Sequence, residues 1–257
     1  MAQDTTTLQT VSRAVSMLRI FDGGSLDLSL KELTERMGLN KVTVLRLART
    51  LVKEGLLVHD SRTGLYRLSF GCIGLARKLL SRDGLFDCAQ PFMEEARDRT
   101  SETVCLIVRE EKDRVTTHTL ASFQPVRIIL DVGDRRPVYL GAAGQCLISG
   151  LSTPQLDALL PQTDDDPELQ RYGVTLSIIH ERREQVQKRG WAVGQGEWLP
   201  DAAGAAAPVV AQDGTVKGAI SIVLPRSRAT DEYLENCAKI AREAALKTSE
   251  ELARQHQ

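Results

Sequence analysis

Val42, Arg46, Arg49 and Lys53 fall at i, i+4, i+7 and i+11, a spacing that sets an apolar contact and three cations along one side of one helix. Thr43 and Thr50 flank that side, and Lys41 stands at its start. The chemistry this suits is recognition of double-stranded DNA by a helix in the major groove. Arg can pair bidentately with guanine, Thr can reach bases or phosphates, and Val42 can touch a thymine methyl. Arg46 and Arg49 are the candidates for base contacts, while Lys41 and Lys53 would hold phosphates. A solvated basic face has the same composition, so the helix alone leaves both readings open.

The elements around it narrow the choice. Ser29-Leu30-Lys31-Glu32 is an S-x-x-E capping box, in which a hydroxyl and a carboxylate satisfy the free amides at a helix start. Leu30, Leu33 and Met37 continue at helical spacing to Gly38, which can turn the chain at positive φ. Asn40 can cap the next helix, from Lys41 to about Glu54, and Val44, Leu47, Ala48 and Leu51 form its apolar stripe. Leu56-Leu57-Val58 and Leu65-Tyr66-Arg67-Leu68 surround a turn containing Gly64, which predicts a β-hairpin. Arg62 at its tip and Arg67 on its return strand are placed to touch phosphates. Upstream, Val11, Ala14, Val15, Leu18 and Phe21 make a further apolar helical stripe. Helix, helix, recognition helix and wing together read as a winged helix-turn-helix.

The chain has 257 residues, a length for two domains. Its net charge of −1 hides an asymmetry: residues 1–80 carry 12 Lys+Arg against 7 Asp+Glu, and the remainder 21 against 27. A basic head on an acidic body fits a nucleic-acid reader attached to a second function. Cys72, Cys88, Cys105, Cys146 and Cys237 are odd in number and widely spaced, with no C-x-x-C and no zinc-like grouping with the four histidines. They read as buried reduced thiols, with no metal or cofactor expected. No apolar run approaches a membrane span and the N-terminus is polar, so a cytoplasmic protein is expected.

Further along, a helix is expected over Phe70 to Leu80 with Ile73, Leu75, Ala76 and Leu79 on its apolar side, and a break at Arg82-Asp83-Gly84. A second helix follows from Leu85 to Thr100, which Pro91 would kink or shorten. Thr103–Val108, Val115–Leu120 and Arg127–Leu130 read as strands, and Ala143–Leu151 and Thr153–Leu160 as short helices. Thr163–Pro167 reads as an acidic loop and Ile178–Arg189 as a helix ending at Gly190. Ala205–Val210 and Val216–Leu224 pair across Asp213-Gly214, and Thr230–Arg254 closes the chain as a helix. This pattern predicts an α+β domain with helices on one side of a sheet.

In this order the pieces resemble the IclR family (isocitrate lyase regulator type) of bacterial transcription factors, from about Leu8 to Leu252. The likeness rests on SLKELTERMGLNKVTVLRLARTLVKEGLL, TGLYRL, VGDRRPVYLGAAGQC, RGWAVGQGE and AAAPVVAQDGTVKGAISIVLP. It implies a winged helix-turn-helix over 8–70, a linker helix over 71–83 and a GAF-like effector-binding domain over 84–254. It also implies a homodimer or homotetramer on an inverted-repeat operator, a small organic-acid effector, and repression or activation of a catabolic operon.

The family pocket carries over position by position. Ala142, Ala143 and Gly144 match the turn whose backbone amides hold the effector's carboxylate, at a helix start where the dipole helps. A small-residue turn needed only for packing would look the same. Members that bind small keto acids place a carboxylate near Gly194 and Gln195, a cysteine at Gly204, and serines at Ser221 and Val223. Glu197 keeps an acidic position, with Trp198 adding bulk beside it. The lost groups imply a larger, less polar pocket and an aromatic or medium-chain acid.

Two other functions fit parts of the chain. The second domain could only oligomerise, and it would then show no saturable ligand response. It could instead be a GAF-like enzyme with a cysteine nucleophile, which requires a base or cation beside the thiol. No cysteine has a histidine within a short segment.

Overall fold

The computed structural model describes residues 7–22, 26–80 and 84–255, with the backbone alone over 77–80. Residues 81–83, where the break is expected to begin, lie outside the described residues. The chain divides into two units, Met1–Leu80 and Ser81–Gln257.

The first unit runs α1 (Gln9–Arg19), β1 (Leu28–Ser29), α2 (Leu30–Met37), α3 (Lys41–Lys53), β2 (Leu57–His59), β3 (Leu65–Leu68) and α4 (Gly71–Leu80). The capping box is complete: Glu32 N–H donates to Ser29 Oγ at 3.2 Å, and Ser29 N–H to Glu32 Oε2 at 2.8 Å. Such a cap contributes about 1 kcal/mol. Gly38 ends α2 in the left-handed region at φ 60°, and Asn40 Oδ1 accepts the Thr43 amide at 2.9 Å to start α3. The wing pairs Leu57 with Leu68 and His59 with Tyr66.

Two features of this unit differ from expectation. β1, too short to show a period, pairs Leu28 with Tyr66 and widens the wing to three strands. In α1 and the 3-10 turn after it (Ile20–Asp22) the packed face is Ala14, Met17, Leu18 and Phe21, with Met17 fully buried, while Val11 and Val15 are exposed. The N-terminal turn of α1 extends beyond the core, which Met17 and Phe21 build with Leu28, Leu33, Val44, Leu47, Leu51, Leu57 and Tyr66.

The second unit runs α5 (Leu85–Thr100), β4 (Thr103–Glu110), β5 (Asp113–Leu120), β6 (Arg135–Pro137), α6 (Gly141–Ile148), α7 (Thr153–Asp157), α8 (Pro167–Tyr172), α9 (Leu176–Arg189), β7 (Ala192–Gln195), β8 (Ala202–Val210), β9 (Val216–Pro225) and α10 (Asp231–Gln255). Its six strands form an antiparallel sheet in the order β6-β5-β4-β9-β8-β7. α5 spans its expected range with Pro91 inside it.

Helices cover both faces of this sheet, which corrects the one-sided arrangement read from sequence. Side chains alternate across a strand. Val104, Leu106, Ala205, Ala207, Ile220 and Ile222 therefore pack under α5 and α10, while Cys105, Ile107, Ala206, Ala219 and Val223 pack under α6 and α9. Runs such as Ala205-Ala206-Ala207 are buried on both sides, the pattern of a strand between two layers.

Arg127–Leu130 is not a strand. Its carbonyls take side-chain donors in place of a ladder: Thr103 Oγ1 donates to Ile128 O and Thr119 Oγ1 to Leu130 O, each at 2.6 Å. The edge strand on β5 is β6 instead. The acidic loop also starts an unforeseen helix, since Asp166 caps α8. No helix among the described residues is long and apolar enough to cross a membrane.

Candidate nucleic-acid interface and ligand cavity

α3 presents two opposed faces. Val44, Leu47, Ala48 and Leu51 are buried, while Lys41, Val42, Arg46, Arg49, Thr50 and Lys53 are exposed, Val42 to 68%. Thr43 is half-buried with its amide engaged by the Asn40 cap. The Thr50 hydroxyl donates to Arg46 O at 2.9 Å, so it faces outward mainly as an acceptor. None of Lys41, Arg46, Arg49 and Lys53 forms an ion pair among the described residues, leaving their charges open to phosphates and base edges.

The wing adds Arg62 and Arg67, both exposed. Asp60 Oδ1 accepts the Arg62 amide at 2.8 Å and shapes the tip. That bond, then Thr63, then the charge of Arg67, hold the Asp60 carboxyl below its usual range. Gly64 closes the turn at φ 72°.

In the second unit, seven of the eight expected pocket positions line one cavity: Ala142, Ala143, Gly194, Glu197, Gly204, Ser221 and Val223. Gly144 does not. It lies against the Val138 carbonyl, where a Cβ would collide, so this glycine serves close packing of α6. Gly194 faces the opposite way. A Cβ there would stand 3.0 Å from Ala142 N and 3.2 Å from Glu197 Oε1, so glycine keeps the first turn of α6 uncovered.

The cavity holds only about 40 Å³, room for a few waters. The enlargement expected from the lost side chains is therefore not found. Trp198, Arg114, Ile107 and Leu130 close on the space instead. The Trp198 ring lies 5.7 Å from the Arg114 guanidinium and 5.5 Å from that of Arg136.

The expected anion position is also taken. Gly141 N–H, the first amide of α6, donates to Glu197 Oε2 at 2.9 Å. Arg182 Nη1 lies 3.2 Å from the same oxygen, an ion pair outside hydrogen-bond geometry. The side chain of Glu197 is 10% exposed.

Sequence reading missed Arg114. It sits at 3% exposure on the inward face of β5, two residues before buried Thr116. A cation at an inward position of a strand was the available signal, but the strand was expected to begin at Val115. Burial pushes its guanidinium down to about 10 against the pull of Asp134, so it stays cationic near neutral pH. Arg114 Nε, Thr116 Oγ1 and Asp134 Oδ2 all lack hydrogen-bond partners among the described residues. Such groups in a native interior call for a physical explanation.

Cys88, Cys105, Cys146 and Cys237 are buried and Cys72 is half-buried. Burial pushes the Cys105 thiol up to about 12 and the Cys237 thiol to about 11, the direction opposite to an activated nucleophile. Among the described residues no group of three or more His, Cys, Asp or Glu could hold a metal.

Residues 10–61 match the IclR helix-turn-helix domain and residues 77–250 match the bacterial transcriptional regulator IclR C-terminal domain. HTH-type transcriptional regulator KipR of Bacillus subtilis (strain 168) is 26% identical over 253 residues, which is 95% of this chain and 97% of KipR. An IclR transcriptional regulator from Alicyclobacillus acidocaldarius has a similar crystal structure, with TM-score 0.75 and 25% identity over 96% of this chain and 100% of that one. An IclR homologue from Microbacterium hydrocarbonoxydans, solved in complex with 4-hydroxybenzoate, gives TM-score 0.75 at 23% identity, covering 95% of this chain and 99% of its own. At that identity the likeness is one of fold.

Proposed function

The chain belongs to the IclR family of DNA-binding bacterial transcriptional regulators, and from that premise we propose that a small organic acid, bound in the cavity beside α6, controls its hold on an inverted-repeat operator. It is a regulator rather than an enzyme. The observation that carries the reading is α3, whose buried apolar stripe fixes the helix while its unpaired cations face outward. In this reading Arg46 and Arg49 contact bases, and Lys41, Lys53, Arg62 and Arg67 hold phosphates, with Val42, Thr43 and Thr50 beside them. The protein acts in the cytoplasm, where its operator lies.

A homodimer or homotetramer suits two-fold operators, because the two heads must be held at a fixed spacing. Exposed Phe70, Ile73 and Leu75 on and beside α4, and Val11 and Val15 on α1, support a second copy as their cover. α4, with the segment to residue 83, would be the linker from the winged helix at 8–70 to the effector domain at 84–254.

The size of the acid depends on Trp198. With the ring in place the cavity suits a carboxylate on a body of a few heavy atoms. An aromatic acid, the class bound by the Microbacterium hydrocarbonoxydans homologue, needs Trp198 turned outward. A thermal-shift panel of aliphatic and aromatic acids on the full chain tests this reading. Saturable stabilisation by an acid that also changes operator affinity supports it, and a flat panel leaves a domain that only assembles.

A further inference from the structure

Among the described residues Arg114 is a buried cation without a carboxylate of its own. The two carboxylates that act on it also serve other cations: Asp134 pairs through Oδ1 with Arg136 at 3.0 Å while its Oδ2 has no hydrogen-bond partner among the described residues, and Glu197 lies 3.2 Å from Arg182 and accepts the Gly141 amide at 2.9 Å. Three arginines thus share two carboxylates. Its cross-strand neighbours do not compensate it either, since they are Arg109 on β4 and Arg136 on β6. Like charges directly opposite are unfavourable, and an uncompensated buried charge is more so.

The charge does face a space. Arg114 lines the cavity, its Nε has no partner among the described residues, and Ala142 and Ala143 in the first turn of α6 line the same space. Amides of a first turn have no acceptor within the helix and carry the positive end of its dipole. α6 has eight residues, and only its first amide is taken by Glu197. Ile107, Leu130 and Val223 add apolar surface to the lining, and Gln195 and Ser221 add uncharged polar groups.

We propose that Arg114 is the counter-ion that selects a monocarboxylate in this cavity, its guanidinium pairing with the ligand's carboxylate while Glu197 turns away a second negative charge. This rests on the effector reading above and assigns the residue that reads the ligand's charge. A carboxylate placed there answers a buried cation that forms no ion pair among the described residues. A dicarboxylate would bring its second charge toward Glu197 at the helix end. The cost of holding Arg114 uncompensated without ligand becomes selectivity when the ligand is present.

The test uses the full chain carrying Trp191→Phe, so that Trp198, beside Arg114, is the sole tryptophan. Formate, acetate, pyruvate, 4-hydroxybenzoate and succinate are titrated by Trp198 emission and thermal shift, alongside acetamide and 4-hydroxybenzamide. Monocarboxylates should bind saturably, the amides should not, and succinate should bind at least tenfold more weakly than the best monocarboxylate. Arg114→Met should lose at least tenfold in affinity for every acid, with Arg114→Lys in between, while the melting temperature of ligand-free Arg114→Met equals or exceeds that of its parent.

An acid that binds Arg114→Met as tightly as the parent, or an amide that binds as well as its acid, overturns the inference and leaves the effector reading standing. So does succinate binding as tightly as the best monocarboxylate. A ligand-free Arg114→Met that melts well below the parent also overturns it, showing that Arg114 is a structural residue. Failure of every acid with the unsubstituted Arg114 overturns the organic-acid reading itself, and the inference with it.

Discussion

Glu197 Oε2 accepts the Gly141 amide at 2.9 Å, so the carboxylate standing on the N-terminus of α6 is the protein's own. A helix start of this kind is where an acid ligand would otherwise bind. Here the position is filled from the loop that also carries Trp198, and the space beside it is lined by a buried arginine.

Replacing Glu197 with Gln keeps an acceptor for Gly141 while removing the charge. Loss of the helix-end attraction and of the Arg182 pair should lower stability by about 0.5–2 kcal/mol. Acid affinity should rise severalfold, because a negative group leaves the cavity. Urea midpoints and calorimetric titration read the two effects, and unchanged or weaker acid binding would remove Glu197 from the charge balance of the site.

On the DNA face, Arg46→Ala should cost about 1–3 kcal/mol and relax preference at one base pair. Lys53→Ala should instead weaken all sequences alike and reduce the salt slope by about 1. Binding to single-substituted operators over a salt series separates them. An Arg46→Ala protein with unchanged preference would place α3 wrongly on the duplex.

The winged helix was legible in the sequence because its signals are local. A capping box, a glycine at positive φ, a 3.6-residue stripe and a Gly-containing turn each act within a few residues. What was missed depends on contacts distant in sequence. β1 exists only because Leu28 finds Tyr66, and the backbone of 127–130 is held by Thr103 and Thr119 hydroxyls in place of a ladder. Seven of the pocket positions came from family resemblance, whereas Arg114 and the closing of Trp198 over the space did not. No pattern in the sequence marks a cation as unpaired, since that is a property of its neighbours.

The thiols make a pH prediction. Burial raises Cys105 to about 12 and Cys237 to about 11 from an ordinary value near 9, and Cys146 is raised too. The unfolded chain releases these protons first. Their contribution to stability is therefore complete below about pH 8.5 and falls as pH rises toward the folded-state values. The slope is at most about 1.4 kcal/mol per pH unit for each thiol. Urea midpoints should drop across this alkaline window. At pH 8, iodoacetamide should label Cys72 first. Rapid labelling of Cys105 or Cys146 would contradict their burial and revive a nucleophilic role.

Acid-responsive reading of specific DNA is measured by fluorescence anisotropy of the full chain on the DNA upstream of its own gene. The measurement is made near physiological salt against scrambled competitor, with and without the best acid from the panel. Binding should be saturable, resist the competitor and shift at least tenfold in affinity when the acid is added. Binding that the competitor removes equally, with or without acid, would contradict it and leave only charge attraction between a basic helix and phosphate.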